Sequence, residues 1–371
     1  MQSIVPSSPV HNFLSSFDFF TPPAPVRMFI RAAGRKLLPR PPALLFSAPA
    51  HGRAYTMLAE GRAESRQFAE IRHEAGSGAT PTVVLGGFVP DATDSIFLMR
   101  NFLLRQGDLY CVNYSRQGFN MDLLFAQLDD LMENLQRDGR KPMFLAISFG
   151  AGLLLEWLRR HRMEGRHPAI EGVVLVSPVA CTEDLLPACG GKPSTLLGRA
   201  TRPYLGEGEI SSQTIEKSRM VFRKMFDAGA QNKAAVRAIM TADELAGLHR
   251  SVLGTIAGIS AEGACERVQS LKQLQSPSVY FKPGLLPLTH APVLILYAEK
   301  EDSVLDPASP TRFALAAAHR AYFPASECRV VSSRGGSAVQ HASLIFHCTN
   351  FLPYFSQFYR KMKWTQLRAA A

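Results

Sequence analysis

A serine stands in the segment FLAISFGAG with Ala146 two positions before it and Gly150 two after. Ser148 lies where a short apolar run gives way to a helical one, and a turn that tight admits only small side chains on its flanks. A helix starting there would also aim unpaired N–H groups and the positive end of its dipole at the hydroxyl. A serine hydroxyl is a weak nucleophile until an imidazole takes its proton. A carboxylate must then fix the tautomer of that imidazole, and backbone N–H groups must receive the charge that grows on the substrate oxygen. The chain must therefore bring one of its ten histidines, a carboxylate and a glycine-rich turn to Ser148.

Elements that could do this alternate along the sequence. TVVLGG is followed by the helical DSIFLMRNFLLRQG, LYCVNYS by DLLFAQLDDLMENLQ, and FLAIS by GAGLLLEWLRRHR, with GVVLVSP after it. Leu124, Leu128, Leu131 and Leu135 recur at three- and four-residue steps, one buried stripe of a helix. Continuous Val, Ile and Leu runs separated by helices predict an α/β protein with a parallel sheet covered on both faces. Upstream, AYTMLAEG and RQFAEIRHE read as a strand hairpin. The alternation stops after Pro178 and resumes at APVLILYAEK, and the stretch between is helical in character, with Ile215, Phe222, Met225 and Phe226 on one stripe. A helix around Thr311 to Arg320, a strand CRVVSS and a helix from Leu344 to Lys361 complete the series. The expected division is an irregular arm over 1–52, a core over 53–180 and 291–371, and a helical cap inserted over 181–290.

From about residue 53 onward, the cap apart, this order of elements and its motifs resemble the α/β-hydrolase superfamily. The resemblance implies the α/β-hydrolase fold, a mostly parallel eight-stranded sheet with a helical cap. It also implies a triad in the chain order Ser, acid, His. Ser148 is then the nucleophile, His341 in GGSAVQHASL the general base, and Asp302 in YAEKEDSVLDP the acid, with Val304 anchoring its loop. Glu299 and Glu301 are expected to be surface charges, and Asp306, ahead of Pro307, a helix cap. The backbone N–H groups of Phe88 and Phe149 are the expected oxyanion donors. Gly86 and Gly87 in VVLGGFVPD give the loop its close approach, and Gly150 does the same for the elbow. His347 is expected to pack in the last helix, and His161 and His167 to be solvated.

The implied chemistry is cleavage of a carboxylic ester or thioester with a lipophilic acyl group through a serine acyl-enzyme, resembling capped esterases and lysophospholipase-like lipases. An acyltransferase would use the same intermediate, and a binding protein that kept the fold and lost activity is the alternative from another class. Serine at the elbow sets the chain apart from the haloalkane dehalogenase and epoxide hydrolase branches, whose covalent intermediate uses a carboxylate. No cofactor or metal is expected: there is no phosphate loop or dinucleotide fingerprint, and the six cysteines show no metal-ligand spacing. With 46% hydrophobic and 19% charged residues the composition is that of an ordinary globular protein. The net charge of +10 is scattered, which argues against a nucleic-acid partner. Its densest cluster, Arg27 to Arg40, interleaves with apolar residues and suggests peripheral membrane contact through the N-terminal arm. A cytoplasmic location is the expectation.

Overall fold

The computed structural model describes residues 43–370 except 188–190, 207–209, 231, 233–235, 237–239 and 334–336. Most of the expected N-terminal arm, including its arginine cluster, lies outside the described residues. Eight strands form one sheet: β1 (Leu44–Leu45), β2 (Glu70–Glu74), β3 (Thr82–Leu85), β4 (Leu109–Asn113), β5 (Met143–Ile147), β6 (Gly172–Val176), β7 (Val293–Ala298) and β8 (Ser326–Val331), in the order β1-β2-β4-β3-β5-β6-β7-β8. β1 and β2 are antiparallel to their neighbours, and β3 to β8 are parallel.

The strand sequences explain this order. β3 to β7 are apolar apart from Thr82 and Asn113 at strand ends and are buried along their whole length, as strands covered on both faces must be. Side chains alternate between the faces: Val83, Leu85, Phe144, Ala146 and Leu175 join one core, while Val84, Leu145, Ile147, Val174 and Val176 join the other. The first core is closed by helix α4 (Met121–Arg137) and the second by the last helix, α11 (Cys348–Ala370). The four leucines of the α4 stripe are all buried, each contributing about 1.5–3 kcal/mol. Asn120 caps that helix, its side chain accepting from the Leu123 N–H.

Two local expectations fail. AYTMLA is helix α1 (Arg53–Ala59) rather than a strand. Its Ala54 and Met57, three residues apart, pack on Leu123 and Ala126, and buried Asp130 accepts the Arg53 and Ala54 N–H groups at 2.9 and 3.1 Å. A partner distant in sequence thus supplies the cap, which no local pattern records. The last helix starts at Cys348, later than Leu344: residues 344–347, which follow the left-handed Ala342 (φ 48°), form a turn instead.

Between the remaining core elements lie α2 (Ala92–Ser95), α3 (Arg100–Leu104), α5 (Phe149–Met163) and α10 (Pro310–Tyr322). The segment joining β6 to β7 carries α6 (Leu196–Thr201), α7 (Ser212–Ala230), α8 (Ala242–Gly258) and α9 (Ala261–Gln269). Its own core sets Phe226 of α7 and Leu248, Val252 and Ile256 of α8 against Ile345 and Phe346, just past His341. No described helix is long and apolar enough to cross a membrane.

Candidate active site

Ser148 occupies the single position between β5 and α5, with φ 52° and ψ −116°. A non-glycine residue there stores about 1–3 kcal/mol of backbone strain. The strain is held by neighbours: the Ser148 N–H donates to Val176 O at 2.8 Å, and its carbonyl accepts from Ala151 and Val179 at 3.0 and 3.1 Å. A Cβ on Gly150 would come within 2.4 Å of Gly86 O, so glycine is required where the elbow meets the loop after β3.

His341 follows β8 and reaches the elbow. Its Nε2 lies 2.9 Å from Ser148 Oγ, the geometry in which the hydroxyl donates to the ring. Its Nδ1 pairs with a carboxylate, and that carboxylate belongs to Glu301. Asp302, expected to be the acid, is exposed and does not reach the imidazole. Turn direction is the reason. After Ala298 the chain folds back so that the Val304 and Leu305 N–H groups donate to the Glu301 carbonyl at 2.9 and 2.8 Å, and buried Val304 pins Glu301 inward. Asp302, one residue further round this turn, is left on its exposed side. Glu301, expected at the surface, is 3% exposed. Glu299 is exposed and ties down the returning strand segment, accepting from Val339 N at 2.6 Å. Asp306 is buried and accepts from the Ser194 hydroxyl at 2.8 Å, while Ser309 caps α10.

Glu301 is itself oriented. Its Oε1 accepts the Ser177 hydroxyl and the Ala298 N–H, both at 2.7 Å. Ser177 stands at the carboxyl end of β6 with a φ of 46°, fully buried, and its oxygen also accepts the Ala342 N–H at 3.2 Å. One hydroxyl therefore links the carboxylate to the loop that carries His341. Sequence reasoning missed this residue. The available signal was strand order: β6 lies between β5 and β7, so the residue at its carboxyl end must sit between Ser148 and the turn after β7.

The loop after β3 closes the other side. The Phe88 ring stacks on the Phe149 ring at 4.3 Å, and a Cβ at Gly87 would face Ser148 Cβ at 3.5 Å, so glycine leaves the space over the hydroxyl open. Phe149 is the first residue of α5 and has one of the N–H groups without an intrahelical acceptor. Among the described residues, no other histidine hydrogen-bonds Ser148. His347 is buried on Ser343 and Ser337, its pKa lowered by that burial. His161, expected in solvent, is buried against Trp157 and Asp129, and His167 is exposed.

A cavity of about 190 Å³ opens on Ser148 and His341, walled by Phe222, Met225, Phe226, Val252, Ile256 and Phe346. A second apolar cavity of about 50 Å³ adjoins it, the two sharing Phe88, Val89, Phe222 and Ile256 as walls.

No family model matches the sequence, and no curated protein matches it. Among solved structures the chain is similar to an esterase from Rhodococcus sp. ECU1013, with TM-score 0.51 and 16% identity over 79% of this chain and 96% of that one. A thermophilic esterase from Thermogutta terrifontis superposes with TM-score 0.51 at 14% identity, covering 87% and 99%. An epoxide hydrolase from Bacillus megaterium does so with TM-score 0.52 at 12% identity, covering 81% and 97%. The chain adopts the α/β-hydrolase fold. It carries serine at the elbow of that fold, with a histidine and a glutamate in a row behind it.

Proposed function

We propose that the protein is a serine hydrolase that cleaves a carboxylic ester or thioester with a lipophilic acyl group. The observation that carries this reading is the unbroken row from Ser148 Oγ through His341 to Glu301, with the far carboxylate oxygen fixed by Ser177 and Ala298. In the first half-reaction Ser148 Oγ attacks the acyl carbon as His341 Nε2 takes its proton. The tetrahedral oxyanion is received by the N–H groups of Phe88 and Phe149. His341 returns the proton to the leaving oxygen or sulfur, which departs with the electron pair of the broken bond. Water then repeats the sequence on the acyl-enzyme and restores the Ser148 hydroxyl. Glu301 fixes the imidazole tautomer and stabilises the imidazolium that forms.

A lipophilic acyl group is supported by the walls of the cavity. Each methylene that enters it from water contributes about 0.8 kcal/mol, roughly a fourfold gain in binding. The helical segment between β6 and β7 acts as the cap that supplies those walls.

A fluorophosphonate probe tests the reading directly, since it labels only a serine activated by a base. Labelling of the wild-type chain that disappears in Ser148→Ala, together with release of acid from p-nitrophenyl esters, is the expected outcome. A folded wild-type chain that resists labelling would leave a binding protein on a hydrolase scaffold.

A further inference from the structure

Arg267, on α9 of the helical segment between β6 and β7, is only 3% exposed, yet no carboxylate lies within 4.0 Å of its guanidinium among the described residues. Its partners are backbone carbonyls: one terminal nitrogen donates to Phe88 O at 2.7 Å, the other to Ser115 O at 2.7 Å and Tyr114 O at 3.5 Å. The guanidinium carbon lies 5.5 Å from the centre of the Tyr114 ring, and Nε has no hydrogen-bond partner among the described residues. Burial pushes its pKa down to about 10, so it is still a cation at neutral pH. The nearby acid Asp91 is bound to Arg116 at 2.8 Å. A buried cation without an anion is a poor way to stabilise a fold, since an apolar residue of similar volume is often neutral or better.

Its position suggests what the charge is for. The Tyr114 hydroxyl donates to Gly86 O at 2.9 Å, and Arg267 donates to Phe88 O. These two bonds hold the carbonyls on either side of the Gly87–Phe88 peptide, whose N–H is the oxyanion donor on the reading above. The Phe88 ring is clamped on Phe149 as well. The loop that must meet a growing negative charge is thus locked at three points, and one lock comes from the cap.

We propose that Arg267 is a positioning residue of the oxyanion hole, which fixes the Phe88 peptide from the cap and so makes transition-state stabilisation depend on a seated cap. The inference rests on the serine-hydrolase reading. Its charge, in a region poor in water, also favours the oxyanion over the neutral carbonyl.

The test compares full-length wild type, Arg267→Met and Arg267→Lys. Active sites are counted with the fluorophosphonate, turnover is measured on a p-nitrophenyl ester, and inhibition with a trifluoromethyl ketone, whose hydroxyl adduct mimics the oxyanion. Displacing one donor by about 1 Å is expected to lower kcat per active site about 10- to 100-fold. KM should stay within about threefold, and the ketone's inhibition constant should rise in parallel with the loss in kcat/KM. Arg267→Lys keeps the charge but not the two-armed grip and should fall between; it carries the comparison if the methionine variant does not fold. Normal kcat per active site in Arg267→Lys, or a loss confined to KM with unchanged ketone inhibition, overturns the proposal. Failure of wild type itself to react with the fluorophosphonate would instead remove the serine-hydrolase reading.

Discussion

Replacing Glu301 by glutamine isolates one property of the carboxylate beside His341, because shape is kept and only charge and hydrogen-bond polarity change. The outcome follows from how Glu301 is held. Oε1 accepts two donors, the Ser177 hydroxyl and the Ala298 N–H, each at 2.7 Å. In Glu301→Gln the amide oxygen must take that position, since the NH2 group there would face two donors. The amide NH2 then faces His341 Nδ1 and donates to it. Nδ1 becomes an acceptor, the ring proton moves to Nε2, and Nε2 no longer accepts the Ser148 proton. The imidazolium also loses its counter-charge. The same error of tautomer at an aspartate triad costs about 10⁴ in kcat, or about 5.4 kcal/mol of barrier at 1.36 kcal/mol per tenfold. Stability should change by less than about 1 kcal/mol, because every donor at Oε1 stays satisfied. Asp302→Asn, on an exposed side chain, should leave kcat within about twofold. Steady-state ester hydrolysis and urea unfolding on the three proteins decide the matter. Near-normal turnover in Glu301→Gln with collapse in Asp302→Asn would refute the argument.

Phe222 stands between the two apolar cavities, so Phe222→Ala should join them and move the preferred acyl chain toward longer esters by two carbons or more; an unchanged kcat/KM profile across ester lengths would make Phe222 plain core. Far from the site, Asp108 accepts the Gly76 N–H at 2.9 Å and pairs with His73 and Arg140 at 3.1 and 2.8 Å. Burial pushes its pKa up, but these three donors outweigh that and hold it well below the ordinary range. A depressed folded pKa means that the unfolded chain binds the proton more readily, so Asp108 contributes stability above the unfolded value of about 4 and loses it as pH falls further. Asp108→Asn should therefore lower urea stability by about 1–3 kcal/mol at pH 7, and the gap to wild type should narrow between pH 4 and pH 3. An equal gap at both pH values would contradict the linkage.

The parts of this molecule legible in the sequence are those in which chemistry and chain geometry coincide locally. Ser148 was identifiable because the elbow demands small residues at fixed offsets, and Gly150 has no room for a side chain beside Gly86. The central strands are legible because burial on both faces leaves nearly continuous apolar runs. The helix at Arg53–Ala59 did not, because its cap, Asp130, lies far along the chain. The carboxylate that pairs with His341 is the instructive failure. Val304 reads as the anchor of its loop, and it is buried, but it anchors the residue whose carbonyl accepts its N–H, which is Glu301 and not Asp302. Between two neighbouring carboxylates, residue type and spacing are silent. Selection is made by the Ser177 hydroxyl and the Ala298 N–H, which offer two donors on the inward side of the turn. A short aspartate needs a turn that brings its backbone close to the imidazole, whereas glutamate has one more methylene with which to cross from β7, satisfy both donors and still reach Nδ1.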